Sequence, residues 1–104
     1  MRPISPKLRE QLSNDPFMER CVWTGEKNNV SWEHCWTYAG KQINERWAIV
    51  PLRRDLNVYK MTPEIKNYCR WVSLNRATDE ELKKYPKKDW KQERECLSII
   101  KKRI

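Results

Sequence analysis

The sequence predicts an α+β fold, with short strands in the middle of the chain and helices on either side. Two patterns carry that reading. Residues 21 to 47 alternate short aromatic and β-branched runs with Gly25, Asn28-Asn29 and Gly40, the punctuation of hairpin strands and turns. From Met61 onward, Ile65, Tyr68, Cys69 and Val72 recur at i, i+3, i+4 and i+7, the period of a helix with one apolar face. At 104 residues the chain suits one modest core and is too short for two. A single domain over 1–104 is therefore expected, with a helical segment at 1–20, a strand-bearing core at 21–60 and helices at 61–104.

Taken in order, Ser5-Pro6 reads as an N-cap followed by proline at the first helical position, with Leu8 and Leu12 on one side of a short helix. Asn14-Asp15-Pro16 should end it. The strands and turns of 21 to 47 follow. Thr62-Pro63-Glu64 opens the periodic helix, whose stripe is core. Thr78-Asp79-Glu80-Glu81 resembles a second start, with Glu81 three residues after a Thr cap, and Pro86 closes that segment. A last helix runs from about Asp89, with Trp90, Leu97, Ile100 and Ile104 aligned and Lys101, Lys102 and Arg103 near its end, where cations suit the helix dipole. The chain has no internal repeat and no low-complexity linker.

The apolar share is 38% and the charged share 35%, so the core must be thin and the six Trp and four Tyr must supply much of its buried area. Trp23, Trp32, Trp36 and Trp47 therefore read as core more than as base-stacking platforms. Lys and Arg number 22 against 14 Asp and Glu, and the net charge of +8 favours polyanionic partners, nucleic acid first. The same charge also suits a merely soluble cationic surface. The pairs Lys83-Lys84 and Lys87-Lys88 read as solvated faces. No stretch is apolar enough to cross a bilayer and the amino terminus lacks a signal-peptide run, so the expected location is the cytosol.

Cysteines at 21, 35, 69 and 96 form no CxxC pair, and their spacing gives neither a zinc knuckle nor a redox motif. Cys21, Cys35 and Cys69 are candidate structural thiols, expected reduced and mostly in the core, with structural zinc not expected. A single histidine excludes a Cys2His2 finger and any paired-histidine mechanism. That residue, His34, follows Glu33 directly inside Trp32-Glu33-His34-Cys35-Trp36. Neighbours in a strand face opposite sides, so a functional pair requires a strand end or a bulge there. Without further context such a pair is more often structural than catalytic.

The run WEHCWTYAGKQINERWAIVPLRRDLN, with a Cys thirteen residues before the His, resembles the core of phage and bacterial HNH (His-Me finger) endonucleases, and NRATDEELKKYPKKDW resembles the tail that accompanies it. The likeness covers roughly residues 21 to 97. It implies a ββα-metal core, a β-hairpin and a following helix around one divalent cation, with additional flanking helices. It further implies Glu33 as first metal ligand, His34 as the base that activates water, and Asn57 as second ligand from the helix, whose carbonyl oxygen suits Mg²⁺ or Mn²⁺. Asn44 is the nearest candidate to orient the base. Arg53 and Arg54, taken to share a helix with Asn57, together with Lys41 and Arg46, would grip phosphates.

The function so implied is a metal-dependent DNA endonuclease or nickase, with DNA favoured over RNA, acting in the host cytosol if the chain is phage-encoded. The run departs from the family after Pro51-Leu52, where Arg53-Arg54-Asp55-Leu56-Asn57 replaces the usual cysteine and paired histidines. The alternative is therefore a scaffold without catalysis that binds nucleic acid or a host nucleoprotein complex, or inhibits a host enzyme in an anti-defence role.

Overall fold

The computed structural model describes residues 4–101, with side chains as far as residue 99. Ile104, Lys102 and Arg103 of the predicted last stripe lie outside the described residues, as do the side chains of Ile100 and Lys101.

The architecture is mixed α and β. Helix α1 (Pro6–Ser13) starts where Ser5 accepts the Leu8 amide at 3.2 Å, and it buries Leu8 and Leu12. A 3-10 turn (Pro16–Glu19) follows, capped by Asp15. Strand β1 (Val30–His34), the two-residue strands β2 (Thr37–Tyr38) and β3 (Lys41–Gln42), a 3-10 turn (Arg46–Ala48) and β4 (Ile49–Arg53) form the middle of the chain. Helix α2 (Arg54–Val58) continues directly from β4, and α3 (Pro63–Arg76), α4 (Asp79–Leu82) and α5 (Trp90–Lys101) complete the chain. Thr62 caps α3, and Thr78 with Glu81 closes a full capping box on α4, as the sequence predicts.

Two small antiparallel sheets result. β1 pairs with β4, from Val30 opposite Arg53 to His34 opposite Ile49, and β2 pairs with β3. The β2–β3 turn places Ala39 at φ 53° and Gly40 at φ 80°, the two left-handed positions of a tight hairpin. Glycine takes that conformation freely, whereas alanine does so at a cost of roughly 1 kcal/mol.

Because side chains alternate across a strand, the β1–β4 ribbon separates two cores. Ile49 packs with Leu8, Leu12, Met18 and the half-buried Trp32 on the α1 face. Val50 and Leu52 join the larger core with Cys35, Trp36, Trp47, Ile65, Cys69, Leu74 and Trp90. There Trp36 and Trp47 both meet Trp90 edge-on, at 5.2 and 5.7 Å between ring centres. Tyr85 joins Trp47 in the same geometry. Trp36 and Trp47 are thus buried as expected, while Trp23 and Trp32 are half-buried. Ser73, a polar residue fully buried in α3, accepts the Trp36 indole N–H at 2.8 Å and donates to the Arg70 carbonyl. Among the described residues, no helix is long and apolar enough to cross a membrane.

Candidate functional site

His34 is the last residue of β1, and the β1–β4 register runs to it without a bulge. The strand end, and not a bulge, is what the Glu33-His34 pair occupies. Beyond it, the Cys35 amide donates to Ala48 O and the Ile43 amide to Trp36 O. The β2–β3 hairpin is thereby an excursion that closes on its own base. It returns the chain beside the end of β1, where Asn44 Oδ1 sits 2.8 Å from His34 Nε2. An amide oxygen can only accept, so Nε2 carries a hydrogen, and in the neutral imidazole Nδ1 then keeps its lone pair. Asn44 also lines a cavity of about 350 Å³ with Tyr38, Lys41, Gln42 and Tyr85.

Glu33 takes the other face of β1, opposite Val50. Burial raises its carboxyl above the usual carboxylate range, opposed by Lys66 and Arg70 on α3. Neither cation was legible as a neighbour of Glu33, although their i, i+4 spacing puts both on one side of a helix. Ser31 shares Glu33's face two residues earlier, and its hydroxyl donates to Leu52 O at 2.9 Å. Asn57 Nδ2 donates to the same hydroxyl at 3.0 Å, which ties α2 to β1 and leaves the amide oxygen as the group's acceptor. The Glu33 carboxylate and the Asn57 carbonyl thus lie on one side of the ribbon, and two hard oxygens fit Mg²⁺ or Mn²⁺ in type. Among the described residues no three His, Cys, Asp or Glu side chains come together as a metal cage. Any such ion would therefore rely on these two oxygens, water and substrate phosphate.

The four predicted phosphate-binding residues divide. Lys41 on β3 and Arg54 at the start of α2 are exposed. Arg46 is spent internally, donating to Glu81 at 2.8 Å and to Arg76 O. Arg53 does not share the helix of Asn57: it ends β4, one residue before α2, because its extended backbone completes the pairing with Val30. Its guanidinium forks onto Asp55 at 2.9 and 2.6 Å and reaches Glu26 at 3.0 Å. The hydrogen bonds from Arg53 hold the Asp55 carboxyl below its ordinary range.

Cys21, Cys35 and Cys69 are buried free thiols, whereas Cys96 is exposed on α5. Burial pushes Cys69 up to about 12 and Cys35 well above the ordinary thiol range, with each raised further by a neighbouring negative group. For Cys21 burial acts in the same direction, but hydrogen bonds from the Thr24 hydroxyl and from the Thr24 and Arg53 amides, the latter two at 3.4 and 3.3 Å, outweigh it and lower the thiol.

No family model, no curated protein and no solved structure matches this chain.

Proposed function

We propose that the chain acts on nucleic acid as an HNH-like phosphodiesterase, a metal-dependent DNA endonuclease or nickase in which His34 is the base. The observation that carries this reading is the 2.8 Å contact between His34 and Asn44 at the end of β1. It leaves Nδ1 as the atom that takes a proton from an attacking water. The order β1, β4, α2, an antiparallel pair followed at once by a helix, supports an HNH-like ββα core. Glu33 and Asn57, on the face of β1 opposite the His34 side, are the residues that would hold a divalent cation; to neutralise charge on the phosphate that His34 reaches, that cation would have to sit at the end of β1, where the two faces meet. Arg54 and Lys41, exposed and cationic, would hold flanking phosphates, and the charge of +8 would draw the polyanion in. The cytosol, that of a host cell if the chain is phage-encoded, is the compartment this reading requires.

A second reading has its own support. Lys66 and Arg70 already offset the charge of Glu33 from α3, and Arg46 and Arg53 are committed to internal carboxylates. These features favour a binding scaffold that has lost catalysis and engages nucleic acid or a host enzyme. Plasmid nicking by the pure protein with Mg²⁺, Mn²⁺ or EDTA separates the two. Metal-dependent nicks support the nuclease; a saturable DNA complex without turnover in any metal overturns it in favour of the scaffold.

A further inference from the structure

Away from His34, the last three helices enclose a groove of about 1090 Å³. Its floor is apolar: Leu82 at the end of α4, Pro86 beyond it, Trp71 from α3, and Trp90 and Ile99 from α5. Ile99 is 58% exposed, an aliphatic side chain of the floor left open to solvent. The rim is cationic, with Lys83, Lys88, Lys91 and Arg94 against Asp79 and Glu95. Lys88 is held over the Trp36 and Trp90 rings at 5.4 and 5.9 Å, fixing one positive charge at the edge. Arg94 reaches Leu74 O with one terminal nitrogen while its buried Nε has no partner. Among the described residues Lys83 pairs with Glu80, and the two side chains are 71% and 82% exposed, too open to hold it away from another anion.

From these features we infer that the α3–α4–α5 groove docks an acidic amphipathic helix of a partner protein, its apolar residues on the Leu82–Trp71–Ile99 floor and its carboxylates on Lys83, Lys91 and Arg94. A groove between helices with an apolar floor accepts a helix through anchors at i, i+3, i+4 and i+7. The excess of cations on the rim sets the sign of the partner's charge. A second copy of this chain is disfavoured as occupant, since it would bring a like charge of +8. A nucleic-acid strand would satisfy the rim but would leave the aliphatic floor uncovered.

The test uses the full chain and three fluorescent probes: a helical peptide with leucines at heptad a, d and e positions and glutamates elsewhere, the same peptide with lysines for glutamates, and a single-stranded 12-mer of DNA. Anisotropy should show the glutamate peptide binding at least tenfold tighter than the lysine peptide. Hydrogen-exchange protection should fall within residues 71–99. Ile99→Glu and Lys91→Glu alter exposed positions. Each should weaken the glutamate peptide about tenfold, with the melting temperature and His34-dependent nicking unchanged. Equal binding of the two peptides, or glutamate-peptide binding indifferent to both substitutions, overturns the proposal. So does loss of 12-mer binding in these variants without loss of peptide binding, which would assign the groove to nucleic acid.

Discussion

Asn44→Leu keeps the size of the side chain at position 44 and removes the one acceptor seen on His34 Nε2. Two effects follow, and they separate cleanly. Losing a net hydrogen bond costs about 1 kcal/mol of stability, a drop in Tm of roughly 4–8 °C for a domain of this size. The freed imidazole then has about three χ1 wells, two ring orientations and two tautomers, of which one combination presents Nδ1 to water. If His34 is the base, dilution among those states should lower the rate of nicking roughly tenfold, or about 1.4 kcal/mol. Single-turnover nicking in Mn²⁺, well below either melting temperature, reads the rate, and anisotropy in EDTA reads DNA affinity, which should not move. Asn44→Asp restores an acceptor oxygen and should recover most of the rate, which a purely structural role for Asn44 would not require. A leucine variant within twofold of the parent, or a folded aspartate variant as slow as the leucine one, refutes the positioning argument.

Three further outcomes follow from the packing. Ser73→Ala strands the Trp36 indole N–H in the core and should cost about 1–3 kcal/mol by urea unfolding, with the m-value unchanged; a loss under 0.5 kcal/mol would mean that the indole has another acceptor. Burial raises the Glu33 carboxyl, so the folded chain holds that proton more tightly than the unfolded one, and the stability tied to it is present at low pH and declines as pH rises through and above the ordinary carboxylate range. Glu33→Gln should therefore be more stable than the parent at pH 7, by less than about 1 kcal/mol once solvent screening is allowed for, and the difference should close below pH 4; a variant less stable at neutral pH contradicts this. Thiol titration of the native protein should find Cys96 fast and Cys35 and Cys69 slow, since both buried thiols resist ionisation; equal rates for all four would place the buried pair in contact with solvent.

The parts of the fold that were legible in the sequence are those decided within a few residues. Ser5, Thr62 and Thr78 cap helices because each cap bonds an amide three positions on, a relation that spacing displays directly. The pairing of β1 with β4 is another matter: alternation marks a strand but does not name its partner across the β2–β3 excursion. The same excursion decides the site. Asn44 is ten residues from His34 along the chain, and it becomes a neighbour only once Ile43 bonds back to Trp36. Arg53 read as a free phosphate ligand because the sequence shows its charge and not that the end of β4 delivers it to Asp55 and Glu26. Ser73 carried a signal that could have been used, since a buried indole needs an acceptor and a serine within an apolar helical stripe can supply one.

We propose that His34, held by Asn44, removes a proton from water at a phosphodiester. The most direct measurement is supercoiled-plasmid nicking by purified wild-type protein and His34→Ala in parallel, with Mg²⁺ or Mn²⁺ and with EDTA, at matched DNA occupancy. That role entails metal-dependent nicking by the wild type, absent in EDTA, and a loss of at least a hundredfold in His34→Ala with folding and affinity retained. Nicking that persists in a folded His34→Ala protein, or wild-type protein that binds DNA and never cuts it with either metal, contradicts that role for His34.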